Sequence, residues 1–365
     1  MADDVPLTTP EPARKVRVAV LFGGRSGEHS ISAATAAGVM KAIDRSKYDV
    51  LPVGITPAGQ WVLAAGDTSR WELGHGEGGK LAEVTADAGT EVTGLAEIGQ
   101  VDVVFPLLHG PFGEDGTIQG LLELADVRYV GCGVLASAVG MDKHHMKIAF
   151  AAAGLPVGPY VVVTPRDWEQ RQAEVIARVQ QQLTFPVFVK PARAGSSLGV
   201  TRVDDVSGLV EAIEAARFHD PKVLVEQGIE GREIECAVLG GRGGAAPRAS
   251  VPGEIVVDHG AADFYDFEAK YLSASQARTD APADLPDEIS EAVRETAVRA
   301  FEAIGGEGLS RVDVFVTPAG DIVINEINTM PGFTPISMYP KCWEASGLPY
   351  PALIDELIAL ALDAR

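Results

Sequence analysis

The run Arg311-Val312-Asp313-Val314-Phe315-Val316, the break Thr317-Pro318-Ala319-Gly320-Asp321 and the run Ile322-Val323-Ile324-Asn325-Glu326-Ile327-Asn328 decide how this chain is read. Both runs alternate apolar and polar residues with the period of two that a half-buried strand requires, and the Pro-Ala-Gly-Asp break supplies a turn. With a two- or four-residue loop, the hairpin register sets Asp313 opposite Glu326 and Arg311 opposite Asn328. All four then project from one face, and Val312, Val314 and Val316 pack on the other. Two carboxylates and a carboxamide on rigid strands repel one another unless a cation sits between them. Oxygen-only ligands favour magnesium, with nucleotide phosphates completing the octahedron. Asp313, Glu326 and Asn328 are therefore the predicted magnesium ligands. A solvated edge hairpin explains any one of these acids, but not the alignment of three ligands with one arginine.

Upstream, the strand Phe185 to Lys190 runs into Pro191-Ala192-Arg193-Ala194-Gly195-Ser196-Ser197-Leu198-Gly199-Val200. Gly195 and Gly199 let backbone amides approach a phosphate, Ser196 and Ser197 add hydroxyl donors, and Lys190 places a charge at the strand end. The loop lacks the Gly, Lys and Thr arrangement of a P-loop. Farther upstream, Leu107-Leu108-His109-Gly110-Pro111-Phe112-Gly113-Glu114-Asp115 follows a strand, at the carboxyl edge where open α/β sheets bind ligands. The first turn, Gly23 to Ser30, offers two readings of Glu28: an acid favouring the positive end of a helix capped by Ser30, or a carboxylate holding a substrate ammonium. The aromatic and charged run Asp263 to Tyr271 reads as a loop.

Apolar strands at Val16–Phe22, Val50–Ile55 and Val101–Leu108, with a helix from Ser30 to Ile43, predict a parallel α/β first domain. Ala64 to Gly99, rich in Gly, Thr, Ala and acids, reads as a surface excursion. A helix from Met141 through Ala153 opens a smaller mixed unit with short strands. Strands at Glu233–Leu239 and Val251–Val257, a helix from Pro286 to Ile304, the hairpin and a last amphipathic helix complete the chain. At 365 residues two or three units around a cleft are expected. The divisions are 14–138, 139–230 and 231–365.

With 30 basic against 51 acidic side chains, the net charge of -21 repels a polyanion, so nucleic acid is excluded as a partner. Cys132, Cys236 and Cys342 are far apart and odd in number, which predicts buried, reduced thiols. No apolar run approaches the roughly 20 residues that span a bilayer, and Met1 to Lys15 has no apolar signal core. No membrane partner and a cytoplasmic location are the matching expectations.

In this order, FGGRSGEHSIS, LLHGPFGEDGTIQG, MDK, FVKPARAGSSLG, FYDFEAKY, RVDVF and NEINTMPGFTPISMYP resemble the motif blocks of the D-alanine:D-alanine ligases, from about Val16 to Leu357. The resemblance implies a mixed α/β, three-domain ATP-grasp fold. It also implies ATP as co-substrate, with magnesium, or manganese in its place, as the metal. Lys143 and Lys190 would contact ATP together with Ser197, Glu226 and the Ile229 backbone would lie near adenine, and Glu233 would meet the ribose. Lys270 would reach the transferred phosphate. Glu28 would hold the ammonium of the first D-alanine, with His109 near its carboxylate. Ser337 and the Met338 amide would take the second carboxylate, and Arg311 with the Gly332 amide would form the oxyanion site. Glu28, Ser196 and Tyr271 would join three segments in one hydrogen-bonded closure. Ala194 and Met330 depart from some relatives without touching this chemistry. The family is often dimeric, so a homodimer is a further expectation. Two rivals remain: a ligase forming D-alanyl-D-lactate, in which a histidine takes the role of Tyr271, and another ATP-grasp carboxylate–amine ligase. A nicotinamide oxidoreductase is disfavoured, because GGRSG is not GxGxxG.

Overall fold

The computed structural model describes residues 14–64, 71, 83–94, 97, 99–257 and 277–364. Its first sheet is built from β1 (Val16–Gly23), β2 (Tyr48–Ile55), β3 (Trp61–Ala64), β4 (Gly89–Val92) and β5 (Val103–Pro106), in the order β4-β3-β2-β1-β5. β1 lies parallel to both β2 and β5. A central parallel strand is covered on both faces, which is why Val18 to Phe22 is an unbroken, fully buried apolar run. β3 and β4 pair antiparallel, so the sheet is mixed rather than wholly parallel.

Helix α1 (His29–Ala42) packs on the face carrying Val18, Val20 and Phe22. Helix α2 (Thr117–Leu124) sends Ile118 and Leu122 to the face of Ala19, Leu21 and Val104. Ser30 does not cap α1. The cap position is Glu28, whose side chain makes no bond to the helix amides. The stretch read as a surface excursion also contributes to the interior: Trp71 is 1% exposed and meets Phe22 edge to face at 4.9 Å, and Val84 is fully buried. Two large apolar residues within a Gly-rich segment outweigh its loop-like composition.

The helix expected from Met141 through Ala153 forms as α4 (Lys143–Ala152), and a further helix that was not expected, α3 (Val134–Met141), precedes it. Asp142 separates them in an extended conformation, and its carboxylate accepts from the amides of His144 and His145 at 3.1 and 3.2 Å. The second sheet comprises β6 (Tyr160–Val163), β7 (Val187–Pro191), β8 (Thr201–Val203) and β9 (Val223–Gln227), ordered β6-β9-β7-β8. Helices α5 (Pro165–Gln182) and α6 (Leu209–His219) cover the face of Val161, Val187, Val189 and Val225.

The third sheet contains β10 (Arg232–Leu239), β11 (Arg248–Ala249), β12 (Gly253–Val257), β13 (Ala277–Asp280), β14 (Leu309–Val316) and β15 (Ile322–Asn328). Its order is β13-β12-β10-β14-β15, with β11 beside β10. Helix α7 (Asp287–Ala303) packs Val293, Ala297, Ala300 and Phe301 against Ile234, Cys236, Val312, Val314 and Val316, and Met146 and Phe150 of α4 join this core. The last helices, α8 (Met338–Ala345) and α9 (Tyr350–Ala364), return to the first sheet, where Tyr339, Leu353 and Ile358 share a core with Val18 and Phe105. The three cysteines are free and buried. Among the described residues no single helix is long and apolar enough to cross a membrane.

Phe301 lies 1% exposed between α7 and the third sheet. Phe301→Ala is expected to cost about 3–5 kcal/mol, read as a lower urea midpoint with an unchanged slope.

Candidate active site

The hairpin β14–β15 pairs Arg311 with Asn328, Val312 with Ile327 and Asp313 with Glu326. The loop is not even-numbered, however: it runs Thr317–Asp321, and Val314 pairs with Ile324. Asn325 is the extra residue of a bulge that restores the register at Glu326. Both Asn325 and Glu326 consequently line the cleft. The face holds together through charge-assisted bonds. Arg311 donates from Nε to Asp313 Oδ1 at 2.7 Å and from Nη2 to Oδ2 at 2.6 Å, and Asn328 donates from Nδ2 to Oδ2 at 3.0 Å.

Facing this ribbon is the open side of the second sheet. Alternation along β7 sends Val187 and Val189 into the core and Lys190 into the cleft. Lys190 Nζ donates to Glu226 Oε2 at 2.8 Å and reaches Asn325 Oδ1 at 3.4 Å, which bridges the two sheets. Glu226 Oε1 lies 3.2 Å from Lys147 Nζ. Burial would raise the Glu226 carboxyl, but Lys190 and Lys147 overcome that and hold it at about 2. Burial lowers the Lys147 ammonium, against the pull of Glu226. Neither Lys147 nor Asn325 was singled out from sequence. Lys147 stands four residues after Lys143 on α4, and that spacing puts both on one helix face.

Lys143 joins the ribbon to the Gly/Ser loop: its Nζ lies 3.2 Å from Glu326 Oε2 and donates to the Ala194 carbonyl at 2.9 Å. Lys143, Lys190, Ser196, Ser197, Glu226, Ile229, Glu233, Asp313 and Glu326 all line one cavity of about 250 Å³. In the loop, Ser196 and Ser197 adopt positive φ of 49° and 59°. That conformation delivers the Ser196 hydroxyl to Glu28 Oε1 of the first turn. A Cβ on Gly195 would sit 2.9 Å from Glu28 Oε2, so a larger residue there would push the Glu28 carboxylate aside.

His109 is buried behind the cleft rather than lining the cavity. Its Nδ1 lies 3.1 Å from the Met330 carbonyl and its Nε2 3.3 Å from Thr35 Oγ1. Burial holds its ring below the usual histidine range. Glu114, whose position in its motif gave no role, has its carboxyl pushed up to about 8 by desolvation and by neighbouring Glu28. Gly332, Ser337 and Met338 follow β15 on the segment leading into α8, with Ser337 at the cap position and the Met338 amide in the helix's first turn. Lys270 and Tyr271 lie outside the described residues.

A cleft between two antiparallel sheets, with lysines on one wall and paired carboxylates on the other, defines an ATP-grasp enzyme. The chain belongs to the D-Ala-D-Ala ligase family: residues 17–132 match the model of the D-ala D-ala ligase N-terminus and residues 149–359 that of its C-terminus. It is 60% identical over 377 residues to the D-alanine–D-alanine ligase of Pseudarthrobacter chlorophenolicus, covering 98% of each chain. It is 61% identical over 371 residues to that of Paenarthrobacter aurescens, again covering 98% of each. Among solved structures, the D-alanine-D-alanine ligase from Coxiella burnetii aligns with a TM-score of 0.77 at 35% identity, over 96% of this chain and 95% of that one. The VanG D-Ala:D-Ser ligase from Enterococcus faecalis aligns with a TM-score of 0.80 at 35% identity, over 95% and 100%.

Because Glu226 is lowered from 4.5 to about 2, its ion pairs contribute stability in full above about pH 4.5 and lose it as pH falls toward 2. Glu226→Gln is expected to cost about 3–5 kcal/mol at neutral pH by leaving two buried ammoniums without their counter-charge. The gap between the two proteins should close as pH is lowered through that window, read by chemical denaturation at each pH.

Proposed function

We propose that this protein joins two D-alanine molecules into D-alanyl-D-alanine with conversion of ATP to ADP and phosphate, for peptidoglycan precursor synthesis. The observation that carries this reading is the single cleft in which Asp313 and Glu326 stand directly opposite, Arg311 adjoins Asp313, and Lys143 and Lys190 face them. The close relatives support D-alanine rather than D-lactate as the second substrate.

A carboxylate is a poor electrophile and needs activation before an amine can attack it. A carboxylate oxygen of the first D-alanine attacks the γ-phosphorus, ADP leaves, and a D-alanyl phosphate forms. Lys143 and Lys190, with Ser197 of the loop, offset the phosphate charge during this transfer. The oxygen-only set of Asp313, Glu326 and Asn328 suits magnesium, or manganese in its place, which would supply Lewis-acid neutralisation of the phosphates. Glu226 and the Ile229 backbone hold the adenine and Glu233 the ribose. Lys270 reaches the transferred phosphate.

On the other side of the reaction centre, Glu28 holds the first ammonium, with His109 behind the pocket near its carboxylate. Ser337 and the Met338 amide at the α8 N-terminus hold the second carboxylate. The second D-alanine, as its free amine, attacks the acyl carbon, Arg311 and the Gly332 amide stabilise the oxyanion, and on its collapse the acyl C–O bond breaks, phosphate leaves with the electron pair and the nitrogen loses a proton. Acyl phosphates hydrolyse readily, so the Ser196 bond to Glu28, which Tyr271 would complete as in the family, serves to close the loop over the intermediate and exclude water. The reading places the enzyme in the cytoplasm, where ATP is available, with domains at 14–138, 139–230 and 231–365. A homodimer is supported by Leu124 and Leu135, which are 92% and 70% exposed on neighbouring helices α2 and α3.

Incubation with ATP, magnesium and D-alanine should release phosphate and yield the dipeptide by mass, whereas L-alanine, D-serine or D-lactate as second substrate should not compete. Dominant depsipeptide or mixed dipeptide formation would overturn the choice of substrate. Asp313→Asn is expected to lower kcat about 100-fold or more, in line with loss of a charge-stabilising group. Tyr271→Phe should retain ATP binding and lose most ligation, measured by coupled ADP release against direct nucleotide titration.

A further inference from the structure

One acid of the third sheet takes no part in the reaction described. Glu235 of β10 stands directly opposite Asp313 of β14, which stands opposite Glu326 of β15. Three carboxylates thus form one row across three neighbouring strands. Like charges facing each other across a ladder are destabilising, and Glu235 is only 5% exposed, where a carboxylate requires a cation. That cation is Arg311: Glu235 Oε2 lies 3.0 Å from its Nε. The same Nε donates to Asp313 Oδ1 at 2.7 Å while Nη2 donates to Oδ2 at 2.6 Å. Two carboxylates converge on a nitrogen that carries a single hydrogen.

We propose that Glu235 is the positioning residue for Arg311, the permanent partner that retains the guanidinium on the reaction face when Asp313 turns its oxygens to the metal-bound nucleotide. The inference rests on the roles given above to Asp313 and Arg311. An Asp313 oxygen that coordinates a dication gives up electron density to it, and the metal's charge repels the guanidinium, so the two-point hold on Arg311 weakens. Arg311 then loses its bidentate partner on β14. Glu235 is already within reach of Nε, and taking over that one hydrogen leaves both Nη groups for the oxyanion. The exchange needs no backbone movement, since both acids sit on paired residues of adjacent strands.

Two variants of the full chain separate reach from charge. Glu235→Gln keeps the size and removes the charge, and Glu235→Asp keeps the charge and withdraws it by one methylene. In both, with magnesium held saturating, kcat is expected to fall about 10- to 100-fold with the KM for ATP within about twofold, since the loss falls in the transition state. Manganese binding in the presence of ADP, followed by electron paramagnetic resonance, should weaken about three- to tenfold in both, because Arg311 then stays on Asp313 and competes with the metal. Wild-type manganese affinity in the Asp variant would reduce Glu235 to a bulk charge and overturn the proposal. So would unchanged kcat in either variant, a kcat loss matched by an equal rise in the KM for ATP, or failure of both to fold. Should the wild-type protein make no dipeptide, the functional reading fails, and the manganese titration still tests the tie between Glu235 and Arg311.

Discussion

The cross-strand opposition of Asp313 and Glu326 is the constraint around which the rest of the cleft is arranged. Two carboxylates fixed directly opposite on a hydrogen-bonded ladder cannot move apart, so positive charge must be brought to them. The structure brings Arg311 from the same strand, Lys143 from the start of α4 and, through Asn325, Lys190 from the facing sheet. Each cation is delivered by a different element. The opposition therefore fixes where the second sheet and α4 sit relative to the third sheet.

The second wall follows from the same logic in reverse. Lys147 and Lys190 converge on Glu226, which is why that carboxyl stays ionised despite its burial. One wall has acids held by cations, the other a base pair of ammoniums held by an acid. Between them lies a cavity onto which Lys143, Lys147 and Lys190 converge, although the chain as a whole is strongly acidic. A nucleotide's phosphates meet lysines there instead of the repulsive outer surface.

Much of this was legible in the sequence because strand alternation is a simple code. The burial of Val312, Val314 and Val316 follows from a period of two, whereas the pairing of Asp313 with Glu326 was read from an even loop and holds because the bulge offsets the five-residue turn. The bulge at Asn325 was not legible, since an extra residue leaves no mark in an otherwise regular run. Lys147 and Glu235 went unnoticed for a different reason: each acts through contact with a residue on another element, and such contacts are set by tertiary packing. Trp71 and Val84 were hidden by the composition around them. Helix α3 was not read, because the eight residues between Gly133 and Asp142 are too short and too uniformly apolar to show a helical period.

The return of α8 and α9 to the first sheet means that the earliest and latest parts of the chain finish the same interior. As the polypeptide leaves the ribosome, α1, Trp71 and Val84 cover part of the face of β1 that carries Val18, Val20 and Phe22, and the rest waits for the final residues. The N-terminal unit is therefore completed last, although it is made first. Loss of the terminal helices would strip a wall from the opposite end of the chain.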